Sequence, residues 1–229
     1  VTAETIRAAG PGDLERFLPR SVDGGRTLLG ITGPPGAGKS TLARALVDAE
    51  PGRRGYVPMD GFHFADQELV RQGLRDRKGA PETFDAYGYA DLLARLRGRP
   101  AHTIYAPVFE RNLEQPLANA LPVAPGLVLL ITEGNYLLLD APGWREVHGQ
   151  LSEVWFVDVD PSVRVQRLID RHVRFGKSED AARAWVEQVD EPNARLIDAT
   201  RAAADRVIDL TDFAVPGAGS PVEHRPMDS

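Results

Sequence analysis

The segment Gly33-Pro34-Pro35-Gly36-Ala37-Gly38-Lys39-Ser40-Thr41 stands between an apolar run, Thr27 to Thr32, and a helical pattern carrying Leu42, Leu46 and Val47. Its glycines let backbone N–H groups turn inward without a Cβ in the way. The helix that follows aims the positive end of its dipole at the same point. Gly33, Pro35, Gly36, Ala37, Gly38 and Thr41 would then wrap a nucleotide's phosphates. Lys39, read as a solvent-facing loop residue, would reach the β- and γ-phosphates, and the Ser40 hydroxyl would ligate Mg²⁺. A glycine-rich turn that binds nothing is the bland alternative, and the match of spacing, residue types and flanking elements weighs against it.

Such a loop needs a carboxylate at the end of a neighbouring strand. Glu133 closes the apolar run "GLVLLIT" and is assigned to Mg²⁺, directly or through water. Asp60 follows the short run "RGYVPM" and lies 21 residues after Lys39. In a parallel sheet the strand C-termini line one crevice, so Asp60 would face the loop and take the proton of an acceptor hydroxyl. Alone, "DG" would read as a turn. Arg164, Arg167, Arg171 and Arg174 recur at i, i+3, i+7 and i+10. They share a helix face and present planar, permanently charged donors suited to phosphate. Arg167, Arg171 and Arg174 are assigned to the nucleotide, and Arg171 joins Asp60 and Lys39 in the catalytic group. Arg164 is the one most compatible with a solvated face.

Composition narrows the function classes. The chain has 229 residues and a formal net charge of −6, which argues against a nucleic-acid surface. It has no cysteine, so disulfides and thiolate metal sites are excluded and a reducing, cytoplasmic address is expected. No apolar run approaches the length of a membrane span, and the N-terminal segment lacks the apolar core of a signal peptide. A GTPase would need a guanine-reading N-K-x-D segment, and a transporter ATPase an L-S-G-G-Q signature. Neither is present. ATP, Mg²⁺ and a small-molecule acceptor are the expected ligands. A nucleotide kinase with a phosphate acceptor and a regulatory nucleotide-binding module are the alternatives. No interface pattern stands out, and a homodimer stays open.

The elements that must position these groups are legible from periodicity. Strands are expected at "TLLGIT", "RGYVPM", "GLVLLIT", "EVWFVDVD" and "RVIDL", with helices after the loop, at "YADLLARLRG", from Pro161 onward, and in two patterns near the C-terminus. A short leading helix is expected at "DLERFLPR", and an extended piece at "TIYAPVF". Alternating strands and helices give an α/β fold. A single domain over residues 1–210, a lid at about 164–180 and a poorly ordered tail over 211–229 follow. Trp155 reads as core, and Trp144 and Trp185 as packing residues. Arg75, Arg77 and Lys78 read as a solvated loop.

The motifs "GITGPPGAGKST", "MDGFHF", "RKGAPETFD", "YAPVFER", "ITEGNYLLLD" and "RLIDRHVRFGK" resemble the uridine kinase, pantothenate kinase and phosphoribulokinase group of P-loop kinases, and within it a bacterial branch of nucleoside/nucleotide kinase-like proteins named for fructose transport. The resemblance implies a P-loop NTPase fold with a five-stranded parallel sheet, helices on both faces and a small helical lid. It implies Asp60 as the base and Asp85 as an acid near the acceptor's hydroxyls. Phe109 and Glu110 match a Tyr-Asp pair of uridine kinases, with the phenolic hydroxyl missing. His63, Tyr89, Arg111 and Asn135 are further acceptor-side candidates. His63 could instead hydrogen-bond within its turn, Tyr89 could pack on the sheet, and Arg111 and Asn135 could make structural hydrogen bonds.

Overall fold

A computed structural model describes residues 3–20 and 25–214. Its main sheet is parallel throughout, in the order β1-β8-β7-β2-β6-β3. These strands are β1 (Glu4–Arg7), β2 (Thr27–Thr32), β3 (Arg54–Pro58), β6 (Leu129–Glu133), β7 (Glu153–Asp158) and β8 (Arg206–Asp209). Five strands were expected and six are present. The addition is β1, which pairs with β8 from Glu4↔Arg206 to Arg7↔Asp209. It escaped the reading because Ile6 is its one buried residue, so an edge strand of four residues offers neither an apolar run nor a clear alternation. Most of the tail lies outside the described residues. Its first four residues are described, and Ala214 N–H donates to the Ala9 carbonyl beyond β1.

The pleat sorts the strands' side chains into two layers. Leu28, Val57, Leu130 and Phe156 pack against α3 (Ala86–Arg97) through Tyr89, Leu92, Leu93 and Leu96, and against Trp144 at the start of α4 (Trp144–His148). Leu29, Ile31, Ile131, Trp155 and Val157 pack on the opposite side against Leu42 and Leu46 of α1 (Lys39–Asp48) and against Leu14. The expected leading helix is a 3-10 segment, Pro11–Phe17.

From β2 the chain crosses to the edge strand β3, returns to β6, and then passes to β7 on the other side of β2. The direction of winding therefore reverses beside β2, which is where open α/β sheets bind ligands. Residues 33–38 leave β2 there.

A separate antiparallel ribbon is formed by β4 (Ile104–Glu110) and β5 (Gln115–Val123). β5 is mostly exposed and contains Pro116 and Pro122, features that argue against a strand until it is recognised as an edge. The ribbon is clamped to the Asp60 turn. A Cβ on Gly61 would stand 2.4 Å from the Pro107 carbonyl oxygen, so this glycine serves close approach of two backbones rather than reversal of the chain. Gly61→Ala is expected to lower the melting temperature by several degrees and to weaken turnover, because the clash is with backbone. Thermal melts paired with initial rates test this, and an unchanged melting temperature would mean that the ribbon can move aside freely.

After α2 (Asp66–Gln72), Lys78 ties this region together. It donates to Asp66 Oδ1 at 2.7 Å and to the Glu114 carbonyl at 2.5 Å. Arg75 also pairs with Asp66, at 3.0 Å. Arg75 and Arg77 are exposed, as expected of a solvated loop, while Lys78 is half-buried in its ion pair with Asp66.

The last layer is α5 (Pro161–Arg174), α6 (Glu179–Trp185) and α7 (Glu191–Asp198), the latter two joined by a π-helical turn, Val186–Asp190. Asp160 caps α5 by accepting from Ser162 N–H at 2.8 Å, and Ser178 caps α6 by accepting from Ala181 N–H at 3.3 Å. Leu168, Ile169, Ala182 and Val186 form an apolar cluster of their own. Trp185 is 42% exposed, with Lys177 lying over its ring at 4.2 Å. Small, separate clusters support local opening. Residues Arg171 to Lys177 are therefore expected to exchange amide hydrogens more slowly once a non-hydrolysable ATP analogue and an acceptor are added. Unchanged exchange along the segment would leave it a static helix end. Among the described residues no helix is long and apolar enough to cross a membrane.

Candidate active site

The phosphate loop is held from two sides. Gly38, the residue preceding α1, has a φ of +99°, a left-handed value that glycine adopts without strain. A Cβ on Gly36 would stand 2.8 Å from Leu168 Cγ and 3.0 Å from the Arg164 carbonyl oxygen, so α5 packs directly on the loop. Arg164 itself is 5% exposed. It donates to the Glu191 carboxylate and, at 3.5 Å, to the Pro35 carbonyl. The arginine read as most compatible with solvent is thus a buried strut between the loop and α7. Its face points at the loop: Arg167 Nη1 lies 3.7 Å from where a Gly38 Cβ would stand. Arg174 stands at the edge of that face, in a groove beside Asp170 and Glu179.

Lys39 is 8% exposed, not solvent-facing. Its ammonium donates to the carbonyls of Gly33 at 2.8 Å and Pro34 at 3.0 Å. Burial lowers its pKa to about 8, while the Glu133 and Asp60 carboxylates act in the opposite sense.

Glu133 ends β6 beside β2, where it pairs in register with Ile31 on one side and Pro58 on the other. The Ser40 hydroxyl donates to Glu133 Oε1 at 3.1 Å, and the Tyr56 hydroxyl donates to the same oxygen at 2.6 Å. Burial and then repulsion from Asp60 push the Glu133 pKa above the usual carboxylate range. Ser40 and Glu133 are hard oxygen donors in contact, which suits Mg²⁺. No group of three or more His, Asp or Glu among the described residues could hold a metal unaided, so a cation here would also need oxygens from the nucleotide or water.

Asp60 lies two residues past Pro58, at the same end of the sheet. Burial raises its pKa, and the charges of Arg111, Lys39 and Arg171 oppose that rise. Arg171 has an accessible surface, yet protein surrounds it closely enough that desolvation lowers its guanidinium pKa, with Asp190, Arg111 and Asp60 as charged neighbours. Lys39, Asp60, Arg111, Glu133 and Arg171, drawn from five segments of chain, thus form one charged cluster, with the Ser40 hydroxyl on Glu133.

His63 makes the turn hydrogen bond, with Nδ1 2.8 Å from the Asp60 carbonyl oxygen. Its ring packs against Phe84 at 3.9 Å and Phe109 at 4.8 Å between centroids. Burial lowers its pKa to about 4, so it is neutral at ordinary pH. The Glu110 carboxylate accepts from Asn112 N–H at 3.0 Å, within the ribbon's turn.

Asn135 follows Gly134, where a Cβ would meet Met59 Sδ at 2.4 Å. The Asn135 carbonyl accepts from the Thr32 hydroxyl at 3.1 Å. Tyr89 is fully buried, and its hydroxyl pairs with that of Thr132, which donates to the Val57 carbonyl at 2.5 Å. Asp85 is exposed and caps α3, accepting from Gly88 N–H at 2.8 Å. It borders a cavity of about 350 Å³ with Phe64, Phe84, Tyr87 and Trp144. Lys39, Asp60 and Glu133 are not among the residues lining that cavity, so it is separate from the charged groups beside the loop. Sequence reasoning missed Tyr56, whose register against β6 is set only by the folded sheet.

Comparison with known proteins decides the family. No family model matches the chain. The "Putative uridine kinase C227.14" of Schizosaccharomyces pombe is 32% identical over 194 residues, covering 80% of this chain and 83% of its own. YggC of Escherichia coli, an uncharacterized protein, is 34% identical over 192 residues, covering 82% and 79%. The chain belongs to the P-loop kinases. A solved structure from Silicibacter sp. TM1040, described as a "putative fructose transport system kinase", is 40% identical with a TM-score of 0.75, and the match covers 86% of this kinase and 95% of that chain. YFH7 of Saccharomyces cerevisiae, 18% identical, shares the fold with a TM-score of 0.68 over 81% and 92% of the two chains. The protein is therefore an ATP-dependent small-molecule kinase, with a main sheet one strand wider than its sequence indicated.

Proposed function

We propose that this kinase transfers the γ-phosphoryl group of Mg·ATP to a hydroxyl of a small polar metabolite of the nucleoside, sugar or pantothenate-like class. The observation that carries the reading is the charge cluster: a half-buried carboxylate, Asp60, shares an electrostatic neighbourhood with the loop lysine and the lid arginine Arg171. A carboxylate whose pKa is raised by burial is a better base for an alcohol proton, and the charges of Arg111, Lys39 and Arg171 oppose that rise. Lys39, Arg167 and Arg171 would offset charge on the transferring group, while Arg174 would reach the nucleotide from the edge of the same face. Ser40 and Glu133 would hold Mg²⁺, which supplies charge neutralisation on the phosphates when bound.

On the acceptor side, Asp60 would orient the reacting hydroxyl. His63 and Phe109 offer a neutral, aromatic wall, and Arg111 offers a cation at the ribbon's turn. Asn135, Asp85 and the buried Tyr89 would shape the acceptor region through α3 and the loop after β6. The absence of cysteine fits a cytoplasmic enzyme.

ADP release measured across nucleosides, sugars, sugar acids and pantothenate-like alcohols tests the reading. Strong dependence on one acceptor class is expected. ATP hydrolysis that ignores every acceptor would favour a regulatory module, and dependence on a nucleoside monophosphate would favour a phosphate acceptor.

A further inference from the structure

Glu133 has a partner that neither the phosphate loop nor the family resemblance accounts for. Tyr56 stands on β3 two residues before Pro58, the register partner of Glu133. With a side-chain period of two, Tyr56, Ile131 and Glu133 share the sheet face that packs on α1. Diagonal neighbours on adjacent strands are within reach of a long aromatic side chain. The Tyr56 hydroxyl covers that diagonal and donates to Glu133 Oε1 at 2.6 Å. Ser40, from the first turn of α1, donates to the same oxygen at 3.1 Å. The carboxylate is thus gripped by donors from two elements. Arg44, one turn along α1 from Ser40, lies over the Tyr56 ring at 5.7 Å and holds it against the helix. On the opposite face Thr132 is tied to Tyr89 and to the Val57 carbonyl, so the strand end cannot rotate to relieve the grip.

We infer that Tyr56 is a positioning residue of the phosphoryl-transfer site: it fixes the Glu133 carboxylate, so that Glu133 keeps its place when Ser40 exchanges its carboxylate partner for Mg²⁺. This rests on the assignment of Ser40 and Glu133 to the cation. Of the two donors on Oε1, Ser40 is the one that assignment removes. Tyr56 then remains as the one described side-chain donor to that oxygen. The competing account is packing alone, in which the ring fills the space between β3 and α1 and the hydroxyl is incidental.

Tyr56→Phe separates them, because it keeps the ring and the Arg44 contact and deletes one hydrogen bond to a carboxylate. Binding of a non-hydrolysable ATP analogue is measured by calorimetry with Mg²⁺ and with EDTA, for the wild type, Tyr56→Phe, Glu133→Gln and the double variant, alongside melting temperatures. The expected result is a loss of roughly tenfold in affinity for Tyr56→Phe with Mg²⁺, no change with EDTA, and a melting temperature within a few degrees of wild type. The double variant should bind no more weakly than Glu133→Gln alone, since Tyr56 acts through that carboxylate. If Tyr56→Phe keeps the full Mg²⁺ increment while Glu133→Gln loses it, the positioning role is overturned and the assignment of Glu133 survives. If Glu133→Gln also keeps the increment, the cation assignment itself is wrong and the inference falls with it.

Discussion

Asp60→Asn is expected to lower acceptor-dependent kcat by roughly 10²–10⁴-fold, the range in which a positioned general base contributes. The amide preserves the shape of the side chain and cannot take a proton. The backbone around it is fixed independently, by close packing of Gly61 on Pro107 and by the hydrogen bond between the His63 ring and the Asp60 carbonyl. The turn should therefore survive, and the melting temperature should move little. ATP affinity near neutral pH should also change little, because Asp60 makes no hydrogen bond to the loop among those described.

One cross-effect is expected. Asp60 is among the charges that support the Lys39 ammonium, so the variant should lose nucleotide affinity earlier than wild type as pH rises toward and past 8. Acceptor-dependent turnover, ATP affinity against pH and thermal melts on this single variant separate the readings. Near-normal turnover with a lowered melting temperature would make Asp60 a turn residue and return the phosphate-acceptor kinase to the front.

Lys39→Met should abolish measurable phosphoryl transfer, because the loop loses its one cation, yet its effect on stability runs the other way at low pH. Lys39 is a buried base whose folded-state pKa, about 8, lies below its ordinary 10.5. Burial thus penalises the charged form. The penalty is complete below pH 8, where the ammonium is charged in both folded and unfolded chains. It is relieved as pH climbs from about 8 to 10.5, where the folded chain has released its proton and the unfolded chain has not. A shift of that size corresponds to on the order of 3 kcal/mol, offset in part by the two carbonyl hydrogen bonds that methionine cannot make.

The stability of wild type relative to Lys39→Met should accordingly rise across that pH window and be flat below it. Denaturant titrations from pH 6 to 10.5 measure this. A difference that stays constant with pH would mean that Lys39 titrates normally. Binding supplies an independent check. Phosphate charge favours the ammonium, so nucleotide binding at pH 8.5 should draw a proton onto Lys39. Calorimetry in buffers of different ionisation enthalpy detects that uptake, and it should be missing from the methionine variant.

The physical requirements of the phosphate loop were written in the sequence because they are local. A left-handed backbone at Gly38, a lysine and hydroxyl at the first turn of a helix and an apolar strand ahead of them all fall between Thr27 and Ser40. Glu133 and Asp60 were legible for a related reason: each ends an apolar run, and parallel strands bring such ends to one edge. The local periodicity of β2, β6 and β7 likewise located the centre of the sheet.

What the sequence did not disclose depends on contacts between distant segments. β1 is a strand because β8 offers it an unpaired edge, and its own residues carry almost no signal. β5 tolerates two prolines because, as one strand of a two-stranded ribbon, it is an edge. Lys39 and Arg164, both charged, were read as accessible. The first is enclosed by the loop's own carbonyls, and the second is drawn inward by Glu191, 27 residues away. Gly61 looked like a turn residue until Pro107 of the ribbon was found against it. The grip of Tyr56 on Glu133 needed the β3–β6 register, since a shift of one residue would turn the tyrosine to the other face of the sheet. Local backbone chemistry marked the loop of a P-loop kinase, and the packing of far-separated segments decided which charges are buried beside it and what holds them in place.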